Sequence, residues 1–202
     1  MSKKSFIITL FILLFSFKAV ASSILIPMDA ESQENHLKAY GITYWVLLQN
    51  VKVKWLLNYR GGSFLLPDAE TFRRECQIRG VSFEIISDSK TQQILEEIES
   101  PSQNMEAIDL EKAPKVAVYT PKGKLPWDDA VTMVLEYAEI PYEKVYDEEV
   151  LNDELILYDW LHLHHEDFTG QFGKFYRSFR TASWYIEEKK EAEALAEKLG
   201  YA

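Results

Sequence analysis

Apolar runs alternate with amphipathic helical stretches through residues 22–202, and this ordering constrains the fold more than any other feature of the chain. "SILIPM" (23–28), "VKVKWLLNY" (51–59), "VSFEII" (81–86), "KVAVYT" (115–120), "YEKVYD" (142–147) and "LILYDWLHLHH" (155–165) read as strands. "SQENHLKAYGITYWVLLQN", "DAETFRRECQIR", "DSKTQQILEEIES", "PWDDAVTMVLEYAEI" and "TASWYIEEKKEAEALAEKLG" read as helices. Ser32 and Asp68 are placed to cap two of them, and Gly80 and Gly200 to stop two. Strand–helix alternation predicts an α/β domain over 22–202, with a mostly parallel sheet and helices on both faces. The polar stretch "SPSQNMEAIDLEKAP" predicts a connection over 101–113 between halves 22–100 and 114–202.

The N-terminus stands apart from that pattern. "MSKK" is basic, "SFIITLFILLFSF" is apolar and uncharged, and Ala19, Val20 and Ala21 form a small-residue cleavage pattern. This three-part order predicts a signal peptide over residues 1–21 and an exported protein, periplasmic or in the cell envelope, beginning at Ser22. No later segment has the ~20 apolar residues of a membrane span. Removing Lys3, Lys4 and Lys18 from the 22 basic residues leaves 19 against 32 acidic ones, a formal charge of −13. Such a surface repels phosphate backbones, so nucleic acid is excluded as a partner. Cys76 is the single cysteine, so no internal disulfide forms. It lies in a helical stretch with no local histidine, which predicts a half-buried helix cysteine rather than a nucleophile.

Three expected strand ends carry chemistry, and ligands gather at such ends in a doubly wound sheet. "LHLHHEDFTG" supplies His164, His165, Glu166 and Asp167 as candidate catalytic groups. In extended chain His162, His164 and Glu166 share a face, an alternative set of metal ligands. "NYRGGSF" supplies Arg60, Gly61, Gly62 and Ser63; the glycines suit a tight turn, and Arg60 can clamp a carboxylate. "VYTPKGKLPWDD" supplies Thr120, with Trp127 and Trp160 as aromatic packing faces. These ends are expected to meet in one site, with "LHLHH" an inner strand beside "KVAVYT" and "WLLNY".

"LNYRGGSFLLPD", "AVYTPKGKLPWDDAVTMVLEYAEIPYE" and "YDWLHLHHEDFTGQFGKFY" together resemble a group of exported bacterial proteins catalogued as asparagine synthetase B. The resemblance spans nearly all of 22–202. It implies a fold like class I glutamine amidotransferases, a flavodoxin-like sheet. It also implies that members continue beyond the equivalent of Ala202 into a glycine-rich turn carrying a nucleophilic cysteine. A missing C-terminal segment or another chain is then expected to complete the domain. The chain departs from a glutamine-hydrolysing synthetase at two places: an export signal stands where a processed N-terminal cysteine would be exposed, and the S-G-G-x-D-S nucleotide loop is replaced by "RGGSF"; both argue against asparagine synthesis. Three readings stay open: a protein binding or acting on a small polar or carbohydrate-like ligand without a cofactor, a metal-dependent hydrolase, and a non-enzymatic envelope binding protein.

Overall fold

The computed structural model describes residues 22–121, 123, 125, 130–163 and 177–201. Two compact units divide between Glu111 and Lys112. The first contains strands β1 (Ser22–Ile26), β2 (Val53–Leu57), β3 (Ser63–Pro67), β4 (Glu84–Ser87) and β5 (Glu106–Leu110), with helices α1 (His36–Leu48), α2 (Glu70–Ile78) and α3 (Asp88–Ile98). Its sheet runs β4-β1-β3-β2-β5, and every neighbouring pair is antiparallel. The first four strands with α1 and α2 form the βαββαβ arrangement called ferredoxin-like; α3 and β5 are added to it.

The expectation of a mostly parallel sheet fails in this unit, for a physical reason. "SFLLP" is itself a strand, and the turn before it reverses the chain. Asn58, Arg60, Gly61 and Gly62 all have positive φ, so β2 returns at once as β3 instead of crossing over through a helix. Both faces are nevertheless covered. Leu25, Leu56, Leu65 and Ile86 pack with Ile94 and Ile98 of α3. Their neighbours on the other face, Ile24, Ile26, Phe64 and Leu66, are buried too. Tyr40 of α1 meets Phe64 edge-on at 5.5 Å, and Trp45 of α1 meets Phe72 of α2 at 5.9 Å. Each fully buried leucine or isoleucine contributes about 1.5–3 kcal/mol. Strands buried on both sides lose the apolar–polar alternation that marks antiparallel sheets and read like parallel ones.

The expected connection 101–113 contains β5. Lys54 lies opposite Asp109 in register and binds it at 2.5 Å, and Lys52 binds Glu111 alongside. Charge pairing across the ladder therefore makes a strand of a stretch whose polarity suggested a linker. The expected caps also move. Asn35, not Ser32, caps α1 through Lys38 N–H, and Asp68 turns instead to Arg73 and Ser22.

The second unit keeps the parallel character. Strands β6 (Val116–Tyr119), β7 (Tyr142–Val145) and β8 (Trp160–Leu163) run β7-β6-β8, both pairs parallel. Helices α4 (Ala130–Ala138), α5 (Asp147–Leu151) and α6 (Ser183–Leu199) accompany them. Val116 and Val118 of the central strand pack on Leu135 of α4. The expected long strand through 155–165 is shorter: Glu154–Leu157 forms a 3-10 turn before β8. Among the described residues β8 is an outer strand rather than an inner one. Also among them, no helix is long and apolar enough to cross a membrane. The expected signal peptide, residues 1–21, lies outside the described residues.

Candidate functional site

The strand ends expected to form one site belong to two sheets in two units. "WLLNY" ends in the first unit; "KVAVYT" and "LHL" end in the second. Arg60 and Thr120 are therefore not brought together on one sheet edge.

In the first unit, Arg60 centres a knot at the end of β1 and β2. Its Nε donates to Asp29 Oδ2 at 3.0 Å, Nη1 to Glu84 Oε1 at 2.7 Å and Nη2 to Ser32 Oγ at 2.8 Å. The expected carboxylate clamp is thus made, but to carboxylates of the same chain. Ser32 and then Arg60 hold the Asp29 carboxyl below its ordinary value, and Glu84 and Asp29 raise the guanidinium's. Arg60 itself sits at φ 45, ψ 53, a left-handed conformation few side chains adopt. Gly61 follows under the Met28 carbonyl, where a Cβ would have no room. Ser63 Oγ is buried and donates to Tyr59 O or Arg60 O, at 3.0 and 3.2 Å. Phe64, at the position where a nucleotide loop needs an aspartate, is in the core.

The loop facing this turn is pinned by Gln33, which is buried. Its Nε2 donates to Pro27 O and Ser82 O, and its Oε1 accepts from Ser82 N and Asn35 N. His36 Nε2 contacts Met28 O at 3.0 Å. Sequence reasoning passed over Asp29, Gln33 and Glu84, and read Ser32 only as a helix cap. Short polar residues after an apolar strand were the one signal available, and it is a common one.

In the second unit, β7 and β8 lie on opposite sides of β6. The strand order therefore switches direction at the carboxyl ends of β6 and β8. Thr120 lies at this end, buried, its N–H donating to Val145 O at 3.0 Å. Tyr119 O–H donates to Asp147 Oδ1 at 2.5 Å, and the Tyr119 and Tyr146 rings lie 5.1 Å apart. Tyr146 N–H donates to Glu149, closing the first turn of α5. Sequence reasoning missed this tyrosine–aspartate pair. His162 lies on β8, beside Val118 in register. His164, His165, Glu166, Asp167 and Trp127 lie outside the described residues. Among the described residues no three histidine, cysteine or acidic side chains gather to hold a metal; two members of the alternative ligand set, His164 and Glu166, are not among them.

Cys76 is fully buried on α2, and burial, with Glu75 adding to it, pushes its thiol up to about 11. That thiol is inert at neutral pH, in line with the helix reading. A cavity of about 490 Å3 opens beside Leu135, Ile140 and Tyr142, at the amino end of β7. It is the wrong end of the sheet for the switch point, and no expected site residue lines it. No family model matches the chain, and neither the curated proteins nor the solved structures give a match.

Proposed function

We propose that the chain is an exported α/β protein whose second unit binds or acts on a small polar ligand at the carboxyl ends of β6 and β8. The observation that supports this reading is the strand order β7-β6-β8. It corresponds to the 2-1-3 start of a flavodoxin-like sheet, the element shared with amidotransferase-like folds, and it opens a crevice between those two strands. Thr120 stands at one lip. At the other, β8 ends at Leu163, which "HHED" follows in sequence. Asparagine synthesis is not part of the reading, because "RGGSF" forms a turn with Phe64 in the core.

Thermal-shift screening against amino acids, dicarboxylates and sugars tests the proposal. A stabilising ligand whose effect disappears in Glu166→Gln, with the variant's own melting temperature little changed, supports it. Arg60→Lys should leave that ligand's effect intact. A Glu166→Gln protein that melts early yet keeps ligand binding assigns the cluster a structural role and removes the proposal.

A further inference from the structure

The expected cleavage point leaves no slack before the fold. Ser22, the first residue after it, is also the first residue of β1. β1 is an inner strand, with β4 on one side and β3 on the other. Ser22 lies opposite Ser87 of β4 in register. Towards β3 its carbonyl accepts from Asp68 N–H at 3.2 Å, and its Oγ donates to Asp68 Oδ2 at 2.5 Å. Arg73 holds the same carboxylate through Nε at 2.6 Å and Nη2 at 2.8 Å. Ile24, Leu25 and Ile26 follow, each at most 1% exposed.

A peptidase takes extended chain and pairs with its backbone, much as an added strand does. Here the backbone on the mature side of the bond is already paired on both edges. Ser22 is fastened to Asp68 by backbone and side chain alike. The residues behind it are anchored in both faces of the sheet, Ile24 and Ile26 in one and Leu25 in the other. Freeing this backbone therefore means withdrawing β1 from between β3 and β4, which opens the unit rather than its margin. Cleavage of the folded protein then proceeds only through the open fraction.

We propose that the first unit is a folding gate on export processing: the bond between Ala21 and Ser22 is cut only while this unit is unfolded, and a precursor that folds first stays uncut. The proposal rests on the export reading above and adds the order of events to it. In the cut, water adds across the peptide bond, leaving a carboxylate on Ala21 and an ammonium on Ser22. The peptidase meets an unfolded chain, and β1 takes its place between β3 and β4 only afterwards.

A purified signal peptidase acting in mild detergent on the full-length precursor, residues 1–202, tests this, with the product read by mass. Leu56→Asp puts a carboxylate at a fully buried position of β2 and unfolds the first unit without touching the residues the peptidase reads. A second variant inserts about eight serine and glycine residues between Ala21 and Ser22, enough flexible chain to carry the bond clear of the sheet. Folded wild type is expected to be cut about 100-fold or more slowly than either variant, a ratio set by the open fraction of the unit. Should Leu56→Asp remain folded by circular dichroism, the insertion variant compared with wild type decides. Folded wild type cut within about three-fold of both variants overturns the gate and leaves export standing. A slow insertion variant beside a fast Leu56→Asp also overturns it, since the slow cutting would then not come from the pairing of Ser22. No cut in any of the three removes the export reading, and the gate with it.

Discussion

Gly61→Ala should be among the most costly single-methyl substitutions in the first unit, and Gly80→Ala is its internal control. Both glycines have left-handed φ, +78 and +66. Alanine in that region costs about 1–2 kcal/mol at either position. The surroundings differ. A Cβ on Gly80 meets nothing within 4 Å, whereas one on Gly61 would lie 2.4 Å from Met28 O, 2.5 Å from its carbonyl carbon and 2.8 Å from Asp29 N. These are backbone atoms and cannot swing aside. Relief needs the 27–29 loop and the 58–62 turn to part by about 1 Å. That separation breaks the Met28 N–H to Arg60 O bond and loosens Arg60 from Asp29 and Ser32. At about 1 kcal/mol per hydrogen bond the added cost is about 2–3 kcal/mol, for a total near 4 kcal/mol. A two-unit chain need not unfold in one step, so the readout must belong to the first unit. Native-state hydrogen exchange at the β1 and β3 amides provides it. Equal losses for the two variants, within about 0.5 kcal/mol, would refute the close-approach argument.

Other outcomes follow from the same geometry. Arg60→Lys replaces a three-armed fork by a point charge and should cost the first unit about 1–2 kcal/mol, read by the same exchange measurement. Arg73 and then Ser22 hold the Asp68 carboxyl below its ordinary value; its contribution is therefore complete above about pH 4 and disappears as pH falls through the depressed folded value. Urea midpoints between pH 6 and pH 2, as a rough range spanning that transition, should fall more steeply in wild type than in Asp68→Asn. The Cys76 thiol should resist a disulfide reagent in the native protein and react at once in denaturant. N-terminal sequencing of envelope material should begin at Ser22; soluble cytoplasmic protein starting at Met1 would remove export from the proposal.

Most elements were legible because each carries a local cause. "SILIPM" is a strand by apolar run and proline stop, and Gly200, at φ 80, ends α6 as expected. Strand direction was not legible. It depends on whether β2 is followed by a crossover helix or a reversal, and "NYRGGSFLLP" supports a turn and an apolar piece without saying that the piece pairs backward. The covering of both faces by α1, α2 and α3 then removed the alternation that would have corrected the error. β5 was lost for the opposite reason. Its pairing rests on Lys54 and Asp109, 55 residues apart, and no local pattern announces it.

The candidate sites show the same limit at the level of side chains. Arg60 and its glycines were visible as a polar turn, and the turn is there. Its partners are not local: Asp29 lies 31 residues away and Glu84 24. A free arginine beside a flexible backbone and an arginine locked by its own chain look alike in sequence. What separates them is what the guanidinium already holds: three of its five N–H groups bond within the chain, two of them to carboxylates. A ligand carboxylate arriving there would compete with Glu84 and Asp29 for the same guanidinium. The proposed site beside Thr120 rests instead on strand order, since β7 and β8 depart β6 on opposite sides. Strand order therefore favours the second unit as the place to look for a ligand, and the two carboxylates already on Arg60 argue against the first.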